Sequence, residues 1–103
     1  DENSLSCVVT LAYLSARNKY KVEREEKSGK GFVDFIFYPR RKNLPGIIIE
    51  LKADKSPEEA IAQIKQKEYS EKLKKENVSA ILAVGISYDT AAKEHQCIIE
   101  ELL

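Results

Sequence analysis

Apolar positions change their period several times along the chain. Over residues 4–17, Leu5, Val8, Val9, Leu11, Ala12 and Leu14 include the spacings of one helical face, although the β-branched pair Val8-Val9 weakens the pattern. A helix is expected there. Residues 20–26 alternate loosely through Tyr20 and Val22, then give way to Lys27-Ser28-Gly29-Lys30-Gly31, whose two glycines suit a hairpin turn. Residues 31–38, rich in Phe, Val and Ile, and residues 46–52, with three consecutive isoleucines, read as two further strands separated by a proline-bounded loop.

Ser56-Pro57-Glu58-Glu59 has the form of a helix start: an N-cap serine, a proline in the first turn, and a glutamate three residues after the cap. One helix over residues 57–75 follows from it. Residues 78–86 form a short apolar run bounded by Asn77 and Ser87, the pattern of a buried strand. Residues 91–103 fit two descriptions: helix propensity runs through the acidic end, while residues 96–99 suit an edge strand, which we favour. The resulting order is helix, three strands, helix, strand and a short extra strand or helix. No repeat or low-complexity segment interrupts it.

Composition narrows the class. A chain of 103 residues suits one compact domain, and 43% hydrophobic with 33% charged residues argues against disorder. Seventeen basic residues balance seventeen acidic ones, so nucleic acid would not be held by bulk charge alone; any basic surface must be local. Cys7 and Cys97 lack the close spacing of a zinc or redox pair and are expected as free buried thiols, which fits a cytoplasmic protein. No apolar run reaches the roughly 18 residues of a membrane span, and no membrane partner is expected. The chain contains no methionine and starts at Asp1-Glu2-Asn3, so it is expected to be a piece of a larger protein.

The chemistry concentrates in the hairpin of residues 31–38 and 46–52. If that hairpin is symmetric about Lys42, Asp34 falls opposite Glu50, and period 2 puts Lys52 on the face of Glu50. Val33, Phe35, Phe37, Ile47, Ile49 and Leu51 make the other face wholly apolar. Like charges directly across a strand pair destabilise a sheet, so something must compensate them. A divalent cation does so: two carboxylates supply hard oxygen ligands for Mg²⁺, leaving positions for water and phosphate. Lys52 could then position or deprotonate the attacking water, or neutralise developing negative charge. The plainer alternative is that both acids make ordinary ion pairs with lysines.

These residues carry a resemblance. Gly29-Lys30-Gly31-Phe32-Val33-Asp34, then Ile47-Ile48-Ile49-Glu50-Leu51-Lys52, then Glu59-Ala60 and Gln63-Ile64-Lys65 through Tyr69 resemble the PD-(D/E)XK nuclease superfamily. More narrowly they are similar to the C-terminal nuclease-like domain of bacterial AAA-ATPase-like proteins. The resemblance spans residues 2–97 and implies a restriction-endonuclease-like αβββαβ core, a central mixed sheet flanked by helices. It also implies Mg²⁺, with Mn²⁺ as a substitute, and DNA as partner. A link to an N-terminal AAA-ATPase-like region follows from it, and a homodimer is allowed.

Residue by residue, the resemblance makes Asp34 and Glu50 metal-binding acids, Lys52 the catalytic lysine and the Leu51 carbonyl a further ligand. Gln63 and Tyr69 match a Gln and a Tyr that line the site in this group. Gln63 could equally be a satisfied polar residue, and Tyr69 could pack on Leu73 one turn away. Glu2 best matches a recurring ligand on the first helix, with Glu23, Glu25 and Glu26 as competitors. One departure stands out: Phe32 occupies a position where this group often carries Arg, so a weak or inactive nuclease fold that binds nucleic acid or regulates an ATPase is the alternative function.

Other residues offer less. His95 is the single histidine, which excludes mechanisms needing several. Arg40, Arg41 and Lys42 at the hairpin tip and Lys65, Lys67, Lys72, Lys74 and Lys75 beyond Gln63 are read mainly as solvated charge, with Lys67 the one to test for DNA contact. Gly29, Gly31 and Gly46 serve turns rather than a phosphate loop, since no helix follows them. The leading expectation is a Mg²⁺-dependent deoxyribonuclease, an endonuclease rather than an exonuclease, occupying residues 1–103 as one domain.

Overall fold

Three consecutive isoleucines place apolar side chains on both faces of one strand, so that strand has to lie inside a sheet covered on both sides. The computed structural model, which describes residues 11–12, 18–26, 33–67 and 69–103, puts it there. The strands are β1 (Tyr20–Glu26), β2 (Val33–Pro39), β3 (Gly46–Ala53), β4 (Ile81–Asp89) and β5 (Glu94–Glu101), arranged in the order β1-β2-β3-β4-β5. Residues Gly46 to Glu50 of the central β3 are all buried.

Neighbouring strands are antiparallel except β3 and β4, which are parallel. A parallel pair needs a crossover connection. Two helices supply it: α1 (Pro57–Gln66) and α2 (Tyr69–Lys74). On their side of the sheet Ile36, Ile48, Ile61, Ile64, Leu73, Ile81 and Ala83 form one core cluster. On the other side Tyr20, Phe37, Ile47, Ile49, Val84 and Cys97 form a second, against which Leu11 packs. The architecture is the expected α/β arrangement of a mixed sheet with helices.

Four expectations need comment. Of the first helix, only Leu11 and Ala12 are described, and both are helical; Glu2, Cys7, the Gly29 to Gly31 turn and Phe32 lie outside the described residues. The open C-terminal element is a strand of eight residues, longer than the segment favoured from sequence, because β5 pairs along β4 from Asp89↔Glu94 to Leu82↔Glu101. Cys97 is buried and disulfide-bonded, which corrects the expectation of a free thiol. Separation along the chain sets no lower bound on proximity in a folded sheet.

The fourth concerns the helix over residues 57–75. It is not continuous: α1 ends at Gln66, and Lys67 is extended with φ −86° and ψ 136°, its N–H donating to the Gln63 carbonyl at 3.0 Å. No proline or glycine marks this break, so local propensity could not reveal it. The start of α1 is as expected. Ser56 caps it and Glu59 closes the capping box, with the Ser56 N–H donating to Glu59 Oε2 at 2.8 Å.

Gly85 decides how closely α1 approaches the sheet. A Cβ there would lie 2.4 Å from the Pro57 carbonyl oxygen and 3.1 Å from the Ala60 Cβ. Only a strand position without a side chain lets the first turn of α1 rest on β4. Since Gly85 pairs with Glu50, that contact also fixes the helix above the acids.

Candidate active site

The symmetric hairpin is present. Asp34 pairs with Glu50 and Phe37 with Ile47, a register centred on Lys42. Alternation therefore points Asp34, Glu50 and Lys52 to the face covered by α1 and α2, and both acids are fully buried at 0% exposure. Two carboxylates so placed require a cation or donors close by.

Among the described residues, Lys67 supplies the nearest cation. Its Nζ donates to Asp34 Oδ2 at 3.0 Å and to Glu50 Oε1 at 3.1 Å, bridging the two acids. The extended backbone at the end of α1 makes this reach possible. Tyr69, the first residue of α2, donates its hydroxyl to the same Asp34 Oδ2 at 2.9 Å, and the Lys67 ammonium lies 5.7 Å from the Tyr69 ring centroid. Burial, followed by the bond to Asp34, pushes the Tyr69 hydroxyl up to about 12. It stays protonated at neutral pH and serves as a donor, not a base.

Lys52 occupies the other flank. Its Nζ lies 3.8 Å from Glu50 Oε2 and donates to Gln63 Oε1 at 3.0 Å. Gln63 therefore has a definite partner, and its amide fixes where the Lys52 ammonium stands. Beside them opens a groove of about 230 Å³ lined by Lys52, Lys55, Glu59, Ala62, Gln63 and Gln66.

The structure thus gathers five expected site residues, Asp34, Glu50, Lys52, Gln63 and Tyr69, into one cluster at the β2-β3 pair. Tyr69 also packs against the core beneath α2. Leu51 sits between Glu50 and Lys52 in β3, its side chain on the opposite face against the second core. Of the competing glutamates, Glu25 is Asp34's partner in β1, yet its carboxylate goes to Lys72 at 2.9 Å. Its carboxyl is held below the ordinary range by a hydrogen bond shared with Glu23 and by Lys72.

Sequence reasoning misplaced Lys67 and missed Gly85. Lys67 stood out from the other lysines as the one to test for DNA contact, but nothing in the residue order set it between two carboxylates. A glycine inside an apolar strand run was the available signal for Gly85. Elsewhere three lysines are engaged in ion pairs: Lys65 with Glu100 at 2.6 Å, Lys72 with Glu23 and Glu25, Lys74 with Glu71. Arg40, Arg41 and Lys42 line a small cavity at the far end of the hairpin, roughly 20 Å along the strands from Asp34.

Among the described residues no cluster of three or more His, Cys, Asp or Glu side chains is close enough to hold a metal ion. The acid pair itself fits a hard divalent cation. Both side chains are oxygen donors facing each other across two strands, and Asp34 Oδ1 and Glu50 Oε2 accept no hydrogen bond from the described residues. Two protein carboxylates with water and phosphate completing the shell is a common arrangement for Mg²⁺. No curated protein and no solved structure matches the chain. A family model does, over residues 1–100, and with the paired acids and lysine in place the chain belongs to the PD-(D/E)XK nuclease superfamily.

Proposed function

We propose that this domain is a Mg²⁺-dependent nuclease that hydrolyses DNA phosphodiester bonds, with Mn²⁺ able to replace Mg²⁺. One observation carries the reading: Asp34 and Glu50 face each other, fully buried, with Lys52 on the same face of the central strand. Asp34 and Glu50 would hold the metal, with the Leu51 carbonyl and Glu2 as further candidate ligands. When bound, the metal lowers the pKa of a coordinated water and offsets charge on the scissile phosphate.

The remaining work falls to the chain's own side chains. Lys52 donates to Gln63, which supports a cationic role, neutralising charge on the phosphate, over that of a base. Gln63 is a positioning residue, since it acts through Lys52. Tyr69 anchors Asp34 in one rotamer through its bond to Oδ2. The groove beside Lys52, with Lys55, Gln63 and Gln66 on its walls, suits a phosphodiester backbone approaching from solvent.

Supercoiled plasmid, single-stranded DNA, branched DNA and single-stranded RNA, each incubated with the protein and Mg²⁺ or Mn²⁺, test the reading. Nicking of plasmid DNA is expected, in keeping with an endonuclease. Cleavage that persists in Asp34→Ala or Lys52→Ala would sink it, and preferential RNA cleavage would overturn the substrate. The domain is expected to work attached to an AAA-ATPase-like region, where a second copy or the attached region would supply basic surface.

A second reading has a specific observation behind it. Lys67 already bridges the acid pair, as it would in a nuclease fold that binds nucleic acid or regulates an ATPase without cutting. Calorimetry separates the two: Mn²⁺ binding abolished by Glu50→Ala counts against a purely structural role.

A further inference from the structure

We infer that Lys67 is the resident cation of the acid pair, and that divalent metal enters by exchange, pushing the ammonium out from between Asp34 and Glu50. The inference rests on the metal-binding reading and adds to it what metal must displace. Nζ of Lys67 lies 3.0 Å from Asp34 Oδ2 and 3.1 Å from Glu50 Oε1, so one positive charge touches an oxygen of each carboxylate. That is the place a cation shared by these two acids would take. Lys67 and a metal ion compete for it.

Of the two nearby lysines, Lys67 is the one built to leave. Lys52 projects from the middle of β3, is 11% exposed and is held by Gln63. Lys67 stands outside both helices, on extended backbone at the end of α1, and its side chain is 29% exposed. It has a route to solvent that needs no strand to move. The charge balance favours exchange, because a divalent ion brings the two carboxylates one more positive charge than the ammonium it replaces.

The arrangement has two consequences. Without metal, Lys67 suppresses repulsion between acids directly opposite in an antiparallel pair, so the hairpin keeps its register and the ligands stay preorganised. With metal, the same lysine is a competitor that lowers apparent affinity. Removing its charge while keeping a polar side chain therefore strengthens metal binding and weakens the metal-free protein.

Calorimetric titration of Mn²⁺ into wild type and Lys67→Gln, without nucleic acid, tests the exchange. The variant should bind about tenfold or more tightly, and its lowered melting temperature should recover on adding Mn²⁺. Unchanged or weaker affinity in a folded variant would overturn the exchange while leaving the metal-binding reading intact. If neither protein binds Mn²⁺, both fail. A measurement on wild type alone guards against a variant that does not fold. Reductive methylation followed by mass spectrometry should show Lys67 reacting several-fold faster in saturating Mg²⁺, with Lys72 unchanged as an internal control; equal Lys67 rates with and without Mg²⁺ would overturn the exchange.

Discussion

Two clusters on the same face of the sheet each hold a lysine that bridges two carboxylates, yet they differ in what surrounds them. In the first, Lys67 bridges Asp34 and Glu50 at 3.0 and 3.1 Å; in the second, Lys72 bridges Glu23 and Glu25 at 3.5 and 2.9 Å. Asp34 and Glu50 lie on β2 and β3 beneath the helices at 0% exposure, whereas Glu23 and Glu25 lie on the edge strand β1 at 39% and 30%. Water screens the second cluster and not the first. Burial, rather than composition, turns an acid pair into a place where a cation matters.

Substitutions at the two clusters should pull this contrast apart. The largest expected effect is on cleavage: Glu50→Gln keeps the shape of the side chain but removes a charged ligand, and cleavage of plasmid in Mg²⁺ should fall by about a thousandfold or more. Lys52→Ala should follow, with a loss of roughly a hundredfold in kcat, measured under saturating DNA. Retained activity in either variant would mean that the buried cluster is not the reacting site.

Stability gives the next contrast. Lys67→Ala leaves two buried carboxylates without their bridging ammonium, so urea denaturation in chelator should show a loss of roughly 3 kcal/mol. Lys72→Ala should cost at most about 0.5 kcal/mol, because its partners are solvated. Glu25 titrates below the ordinary range, so what the edge cluster contributes is present above the usual glutamate pKa and fades as pH falls through its lowered value. Equal losses in the two variants would erase the distinction.

Tyr69→Phe sits between them, expected to cost about 1 kcal/mol through the lost bond to Asp34. Its ionisation sets a pH window. The folded hydroxyl is raised to about 12 from an ordinary value of about 10, so its contribution is complete below pH about 10 and is lost as pH rises through about 12. Phenolate absorbance should lose its component near 12 in Tyr69→Phe.

Much of the fold could be read from residue order. The isoleucine run announced a strand, the Ser56-Pro57-Glu58-Glu59 start announced α1, and the proline-bounded loop fixed the register that sets Asp34 against Glu50. These follow from period, capping and turn length, which are local. The C-terminal strand was only half legible, since an exposed edge strand such as β5 buries little beyond Cys97 and leaves a weak pattern.

What the sequence determined by itself is the acid pair, the lysine beside it and the sheet that carries them, because strand alternation fixes faces without reference to the rest of the chain. Tertiary structure alone decided the counter-charge. The break after α1 has no glycine or proline to signal it; it follows from packing Ile64 and Leu73 into one core while Lys67 and Tyr69 reach the acids. Gly85 likewise acquires its meaning only from the helix resting on it. Lys67 reads as a lysine for DNA contact until the fold brings it to two carboxylates that burial has left in need of a cation.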